Sequence, residues 1–231
     1  MAPAGRHPLL WIVLVALLCA QVGYARILRP LRPAIEEMPF PLNEQGIKGL
    51  ALGDDQFLFR VLARWLQDVG DGGGRVRPLI DYDYDRVVDW LKVLDRLDER
   101  SDYSFVLGAS YFGSVMEPNA GPSRVRKIAL YFRERALADP ARRWPELVWA
   151  GERARRIVKD RQLSELIAGD LSALRDNPRV PAWLPLLAPP LYRFAGNNRA
   201  AEDIDADPGL SKLRREAMQE LLKRLNLPES P

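Results

Sequence analysis

At 231 residues, 47% of them apolar and 28% charged, the chain is long enough for one domain with a sizeable core and is composed neither like a disordered chain nor like a multi-pass membrane protein. Its net charge of +3 comes from 34 lysines and arginines intermixed with 31 acids, without the concentrated positive field that binding phosphates needs, so no nucleic acid is expected as a partner. The one cysteine, Cys19, and the one histidine, His7, both fall near the N-terminus, which leaves everything beyond Cys19 without a thiol nucleophile, a Cys/His zinc site or a histidine triad; no cofactor and no metal are expected.

Leu9 to Ala20 reads LLWIVLVALLCA, and Val22, Gly23, Tyr24 and Ala25 prolong the uncharged tract, with Gln21 its one strongly polar residue, up to Arg26. This length predicts that residues 1–25 form a signal-anchor or transmembrane segment, held in a lipid bilayer through residues 9–25. Gly23 and Ala25 also fit cleavage as an export signal after Ala25. Arg6 lies on one side and Arg26, Arg29 and Arg32 on the other, so positive charge does not fix the orientation. The short arginine-bearing leader points to a single-pass protein of a bacterial inner membrane with a periplasmic domain.

Residues 26–53 carry Pro30, Pro33, Pro39, Pro41, Gly46, Gly49 and Gly53, a density that predicts an extended tether, with Phe40 and Leu42 as its candidates to dock on the domain. A helical-repeat-like domain is expected over 54–195. Its first helix spans Asp55 to Val69, with Phe57, Val61, Leu62, Trp65 and Leu66 at helical spacing, Asp54 or Asp55 as cap and Gly70 as stop. GDGGGR at 70–75 reads as a turn. The second helix runs from Asp83 to Leu97, and a third starts after Ser101 and carries its apolar positions to Met116, before Pro118, Asn119 and Gly121. A fourth begins near Ser123 and ends past Leu137. Asp139-Pro140 opens a fifth, with Trp144, Leu147, Val148, Gly151, Ala154, Ile157 and Val158 as its packed side. Leu163, Ile167, Leu171 and Leu174 mark a sixth; Trp183, Leu184, Leu187 and Leu191 mark a seventh, shortened or bent by Pro185, Pro189 and Pro190. Residues 196–231 are expected to hold an acidic, proline-containing turn, a last helix from Ser211 to Leu225, and a tail.

The predicted fold class is all-α: an N-terminal membrane helix followed by an array of α-helical hairpins, because each amphipathic helix buries its stripe on a neighbour. From Ser101 to Pro178 the chain resembles the tetratricopeptide-like repeat proteins, on Trp144, Val148, Gly151 and Ala154 in one helix and Ala168, Ala173 and Pro178 in the next. Pro145 directly after the tryptophan and the Pro140 to Pro178 interval depart from that consensus. The leader, the proline-rich tether, LALGDDQFLFRVLARWLQDVGD and PLIDYDYDRVVDWLKVLDRLDERSDY together resemble a family of membrane-anchored alphaproteobacterial proteins. That resemblance implies an anchor and helices and carries no known activity.

Stacked hairpins leave a concave face, and Tyr103, Tyr111, Tyr131, Trp149 and Trp183 are the aromatic candidates to hold a protein partner there, with Arg153, Arg155 and Arg156 to receive its acidic groups. Asp81, Asp83 and Asp85 form a candidate acidic recognition cluster, although a calcium loop counted from Asp81 would need glycine and glutamate where Arg86 and Lys92 stand. The expected function is a membrane-anchored protein-binding scaffold or assembly module without catalysis. The alternatives are a structural subunit of a larger membrane complex and a helical hydrolase of cell-envelope glycans, for which carboxylate pairs such as Asp54 with Asp81 or Glu146 with Glu152 would need one acid desolvated in a cleft.

Overall fold

In the computed structural model, residues 8–28, 38–72, 75–116 and 123–215 are described. The whole tract expected to enter the bilayer, residues 9–25, lies in α1, Pro8–Leu28, whose 21 residues rise about 31 Å. Trp11, Leu14, Leu17, Leu18 and Tyr24 on it are exposed. Counted over described side chains, no helix is long and apolar enough to cross a membrane.

Residues 38–53 of the segment expected to be a tether pack on the domain and hold a helix. Met38 is buried, Arg86 donates to its carbonyl at 2.7 Å, and Trp90 Nε1 donates to the Pro39 carbonyl at 2.9 Å. A short helix follows, α2, Glu44–Ala51, capped by Asn43, whose side chain accepts from Gly46 N at 2.8 Å; it buries Ile47 and Ala51. It ends on Leu52 in the left-handed region, φ 49°, and Gly53, φ 88°.

Next comes α3, Asp55–Asp68, capped by Asp54 and stopped before Gly70 as the sequence predicts. Gly70 has φ 81°, and a Cβ there would overlap the hydroxyl of Tyr82, which itself donates to the Val69 carbonyl, so only glycine fits this turn. The GDGGGR turn closes a two-residue antiparallel ladder, Asp71–Gly72 with Arg75–Val76; Gly73 and Gly74 lie outside the described residues. In α4, Tyr84–Leu97, the apolar stripe buries Val87, Leu91, Leu94 and Leu97 under the cap of Asp83, and Trp90 meets Trp65 of α3 with ring centres 4.8 Å apart.

The third predicted helix is shorter than expected. α5 spans Tyr103–Ser110 and gives way to a 3-10 turn, Phe112–Ser114, at Gly113, where a Cβ would overlap the Trp149 indole. The breakers Pro118, Asn119 and Gly121 lie outside the described residues. α6, Arg124–Ala138, starts on the cap of Ser123, and α7, Pro140–Arg153, has proline at its first position and tolerates Pro145 near its start. α7 runs into one π-helical turn, Ala154–Val158, closed by Lys159 at φ 54°. α8, Arg161–Ala173, is capped by Asp160; a 3-10 turn, Leu184–Leu187, leads into α9, Ala188–Ala195, which stops at Gly196. Inside the expected acidic turn a further helix forms, α10, Asn198–Asp205, on the cap of Asn197. The final helix begins at 208 and is described to 215, so the expected stretch from 216 to Leu225 lies outside the described residues.

Apart from the two-residue ladder, the regular structure of the described residues is helical. Two cores share α6. Ile128, Tyr131 and Phe132 face a core built by α2 to α5, while Ala129 and Ala136 face a second core built by α7, α8 and α9; half-buried Trp149 packs against both.

Candidate functional site

Helical spacing puts Trp144, Val148 and Glu152 in one line along α7, four residues apart, over about 12 Å. Beside this line α8 contributes Leu171 and the α9 region contributes Leu187, Pro190 and Leu191, forming an open groove of about 210 Å3 walled by Val148, Leu171, Leu187, Pro190 and Leu191 with Glu152 and Arg155 at its polar edge. Arg155 belongs to the π turn that follows α7 and lines the same groove. At the other end of the line Trp183 is 40% exposed and meets Trp144 edge-on, with ring centres 5.3 Å apart.

Charge is distributed unevenly along this strip. Glu152 pairs with Arg156 at 3.0 Å, and the Arg153 guanidinium lies 5.4 Å from the centre of the Trp149 ring. Among the described residues Arg155, half-buried at the edge of the groove, has no ion pair. Trp183 and Arg155 are the predicted partner-binding residues that the fold brings to one strip; Arg156 is paired with Glu152, and Arg153 lies against the Trp149 ring without an ion pair among the described residues.

The other predicted residues sit elsewhere. Tyr131 is 5% exposed and its hydroxyl is spent on Asp95, which removes it from any surface. Trp149 is half-buried against Phe132 and Gly113, so it serves packing between the two cores. Tyr103 and Tyr111 are half-buried on α5 and at its end, edge-on to Phe59 and Phe112. Asp83 caps α4, Asp85 pairs with Lys127 at 2.5 Å, and exposed Asp81 ends a 3-10 turn, where its carbonyl accepts from Arg77 at 2.7 Å. Among the described residues no group of three or more acids, histidines or cysteines stands together to hold a metal ion.

A cluster that sequence reasoning missed lies between α4, α5, α6 and α7. Asp95 accepts from Ser104 and Tyr131. Arg135 Nε stands 2.8 Å from Asp95 and its Nη2 3.3 Å from Glu146, while Arg143 stands 3.4 Å from Glu146. Arg143 also donates to the Glu99 carbonyl at 2.9 Å. The side chains of Arg135 and Glu146 are 7% and 3% exposed. Burial pushes the Glu146 carboxyl up to about 8, against the pull of Arg143, and burial likewise raises Asp95 despite its hydrogen bonds from Ser104 and Tyr131. Tyr131 is raised by burial and by the neighbouring Asp95. Glu146 therefore has a neighbour set of its own, separate from Glu152, and Asp54 is occupied capping α3. The network ties four helices together inside the fold, and its members are not walls of the groove.

These features define an all-helical domain behind an apolar N-terminal helix, with one apolar strip edged by an unpaired arginine. No family model, no curated protein and no solved structure matches the chain.

Proposed function

We propose that this chain is a membrane-anchored protein-binding scaffold or assembly module that performs no chemistry of its own. The observation that carries the reading is the α7 strip: apolar walls between Trp183 at one end and the unpaired Arg155 at the other suit a partner segment that offers apolar side chains followed by an acidic group. The carboxyl on that strip, Glu152, is exposed and held by Arg156, whereas the carboxyl of raised pKa, Glu146, is enclosed among helices; this arrangement does not favour acid–base chemistry on a glycan.

The anchor belongs to the same proposal. The uncharged sequence from Leu9 to Ala25 rises about 26 Å as a helix, the short edge of what spans a bilayer core of about 30 Å. We place the chain in a bacterial inner membrane with the domain on the periplasmic side, in keeping with its resemblance to membrane-anchored alphaproteobacterial proteins. The hairpins α6–α7 and α8–α9 support a degenerate tetratricopeptide-like array, although their first helices start 37 residues apart, at 124 and 161, and their second helices 48 apart, at 140 and 188.

Crosslinking in intact membranes followed by mild-detergent purification of the full chain tests the reading. A defined protein set recovered stoichiometrically with the native chain and lost with Arg155→Glu is expected. Recovery of the chain alone, or of the same material with both chains, overturns it.

A further inference from the structure

We propose that the segment from Phe40 to Val61, tipped by Leu52, lies on the surface of the same bilayer that α1 enters and forms a second, apolar contact with lipid. The proposal rests on the reading of α1 as an anchor. Among the described residues beyond α1, eleven large apolar side chains are exposed, and six of them, Phe40, Leu42, Leu50, Leu52, Phe57 and Val61, fall in this one stretch of the chain. A random scatter of exposed apolar residues needs no explanation, but a concentration next to a membrane segment does.

Leu52 is the sharpest of the six. It is 91% exposed and sits at φ 49° where α2 ends, a position that glycine or asparagine adopts readily and a branched apolar residue does not. In water this leucine gains neither backbone comfort nor burial. Covered by acyl chains, it gains burial while the turn Leu52-Gly53 holds it at the tip between α2 and α3.

Chain length keeps the start of this segment within reach of lipid. Nine residues, 29–37, join Leu28 of α1 to Met38, which is buried in the domain, and a connection of that length reaches about 35 Å at most. Charge identifies the kind of contact. Within the stretch Lys48 pairs with Glu44 at 2.7 Å and Asp54 is turned to the α3 N-terminus, with Asp55 and Arg60 of opposite sign beside them. Without an excess of positive charge the contact is apolar, so zwitterionic lipid suffices and added salt leaves it intact.

The test uses the full chain with Cys19→Ser, an environment-sensitive dye at Leu52→Cys or, as a distant control, at exposed Glu202→Cys, and phosphatidylcholine nanodiscs with plain or brominated acyl chains. Brominated lipid is expected to quench the dye at 52 roughly twofold and leave that at 202 unchanged, at low and high salt alike. The same result with the dye at Phe57→Cys shows that the protein, not the dye, sets the depth. Disc-bound chain whose dye at 52 is untouched by bromine and as open to aqueous iodide as at 202 overturns the second contact and leaves the anchor standing. A chain that never joins the discs overturns both. Shielding of the dye that is independent of bromine marks contact with a second copy or another protein and likewise overturns the lipid contact.

Discussion

Arg135 on α6 places its Nε 2.8 Å from Asp95 on α4, and the same guanidinium reaches 3.3 Å from Glu146 on α7. One side chain thus ties the core built by α2 to α5 to the core built by α7 to α9. Removing a partner from a buried pair leaves an uncompensated charge, so Arg135→Ala is expected to destabilise the domain by about 3–5 kcal/mol in urea unfolding. An Arg135→Met, Asp95→Leu, Glu146→Leu triple replacement is not expected to recover that loss, because Arg143 then loses both carboxylates and the Ser104 and Tyr131 hydroxyls lose their acceptor. If Arg135→Ala unfolds at the native urea midpoint, the network is not a structural lock.

Stability should fall as pH rises across neutrality. In the folded chain burial lifts Glu146 from 4.5 to about 8, so between those values the unfolded chain has released a proton that the folded chain still holds. The contribution of Glu146 is therefore fully present below about 4.5 and is lost as pH rises through about 8; Asp95, also raised, acts in the same direction from a lower starting point. Carboxylates held low, such as Glu44 by the hydrogen bond from Lys48, act in the opposite sense only in acid. Unfolding midpoints between pH 5 and 9 should decline for the native chain and run flatter for Glu146→Gln.

The elements that the sequence announced best were those with cap, stripe and stop together. Asp54, Leu62, Leu66 and Gly70 mark α3 as expected, although Phe57 and Val61 of its expected stripe are exposed and Leu58, Phe59 and Ala63 are buried in their place; Asp83 with Val87, Leu91 and Leu94 defines α4. Helix α2 was hidden because Gly46 and Gly49 weaken its local preference; what holds it is burial of Ile47 and Ala51, a tertiary effect. The Arg135 network was hidden for a related reason: in sequence Asp95, Arg143 and Glu146 read as solvated helix faces, and only their packing shows them enclosed. On the α7 strip Val148 was legible as packed and Trp183 as a candidate anchor. Arg155 was one of three arginines in the sequence; packing singles it out, because it lines the groove and Arg153 and Arg156 do not.

Leu52→Asn is expected to stabilise the detergent-solubilised chain by roughly 1 kcal/mol, since asparagine tolerates the left-handed backbone and a side chain that is 91% exposed has little packing to lose. Thermal unfolding in detergent reads this directly. A lower melting temperature would show that Leu52 packs on something within the chain.

Gly70→Ala should destabilise by more than about 1 kcal/mol, because φ 81° is unfavourable for alanine and the new methyl overlaps the Tyr82 hydroxyl. Adding Tyr82→Phe removes the overlapping oxygen but also its hydrogen bond to Val69. The double variant is expected to recover the steric part and not the backbone part, so it should fall between Gly70→Ala and the native chain. Equal stability of the single and double variants would assign the whole effect to the backbone.

The Arg155 side chain offers the cleanest separation of folding from recognition. It has no ion pair among the described residues and stands at the edge of the groove, so Arg155→Glu should change unfolding free energy by no more than about 0.5 kcal/mol. Reversal of charge at the groove should nonetheless abolish stoichiometric recovery of a partner that presents an acidic group there, while Arg161→Glu, an exposed charge on the next helix, should leave it unchanged. Arg155→Lys keeps the charge but not the planar fork, and partial retention is expected if the partner group is a carboxylate gripped by two nitrogens. Equal loss with Arg155→Glu and Arg161→Glu would mean that binding follows the net charge of this end of the domain, and the strip on α7 would then lose its claim to be the site.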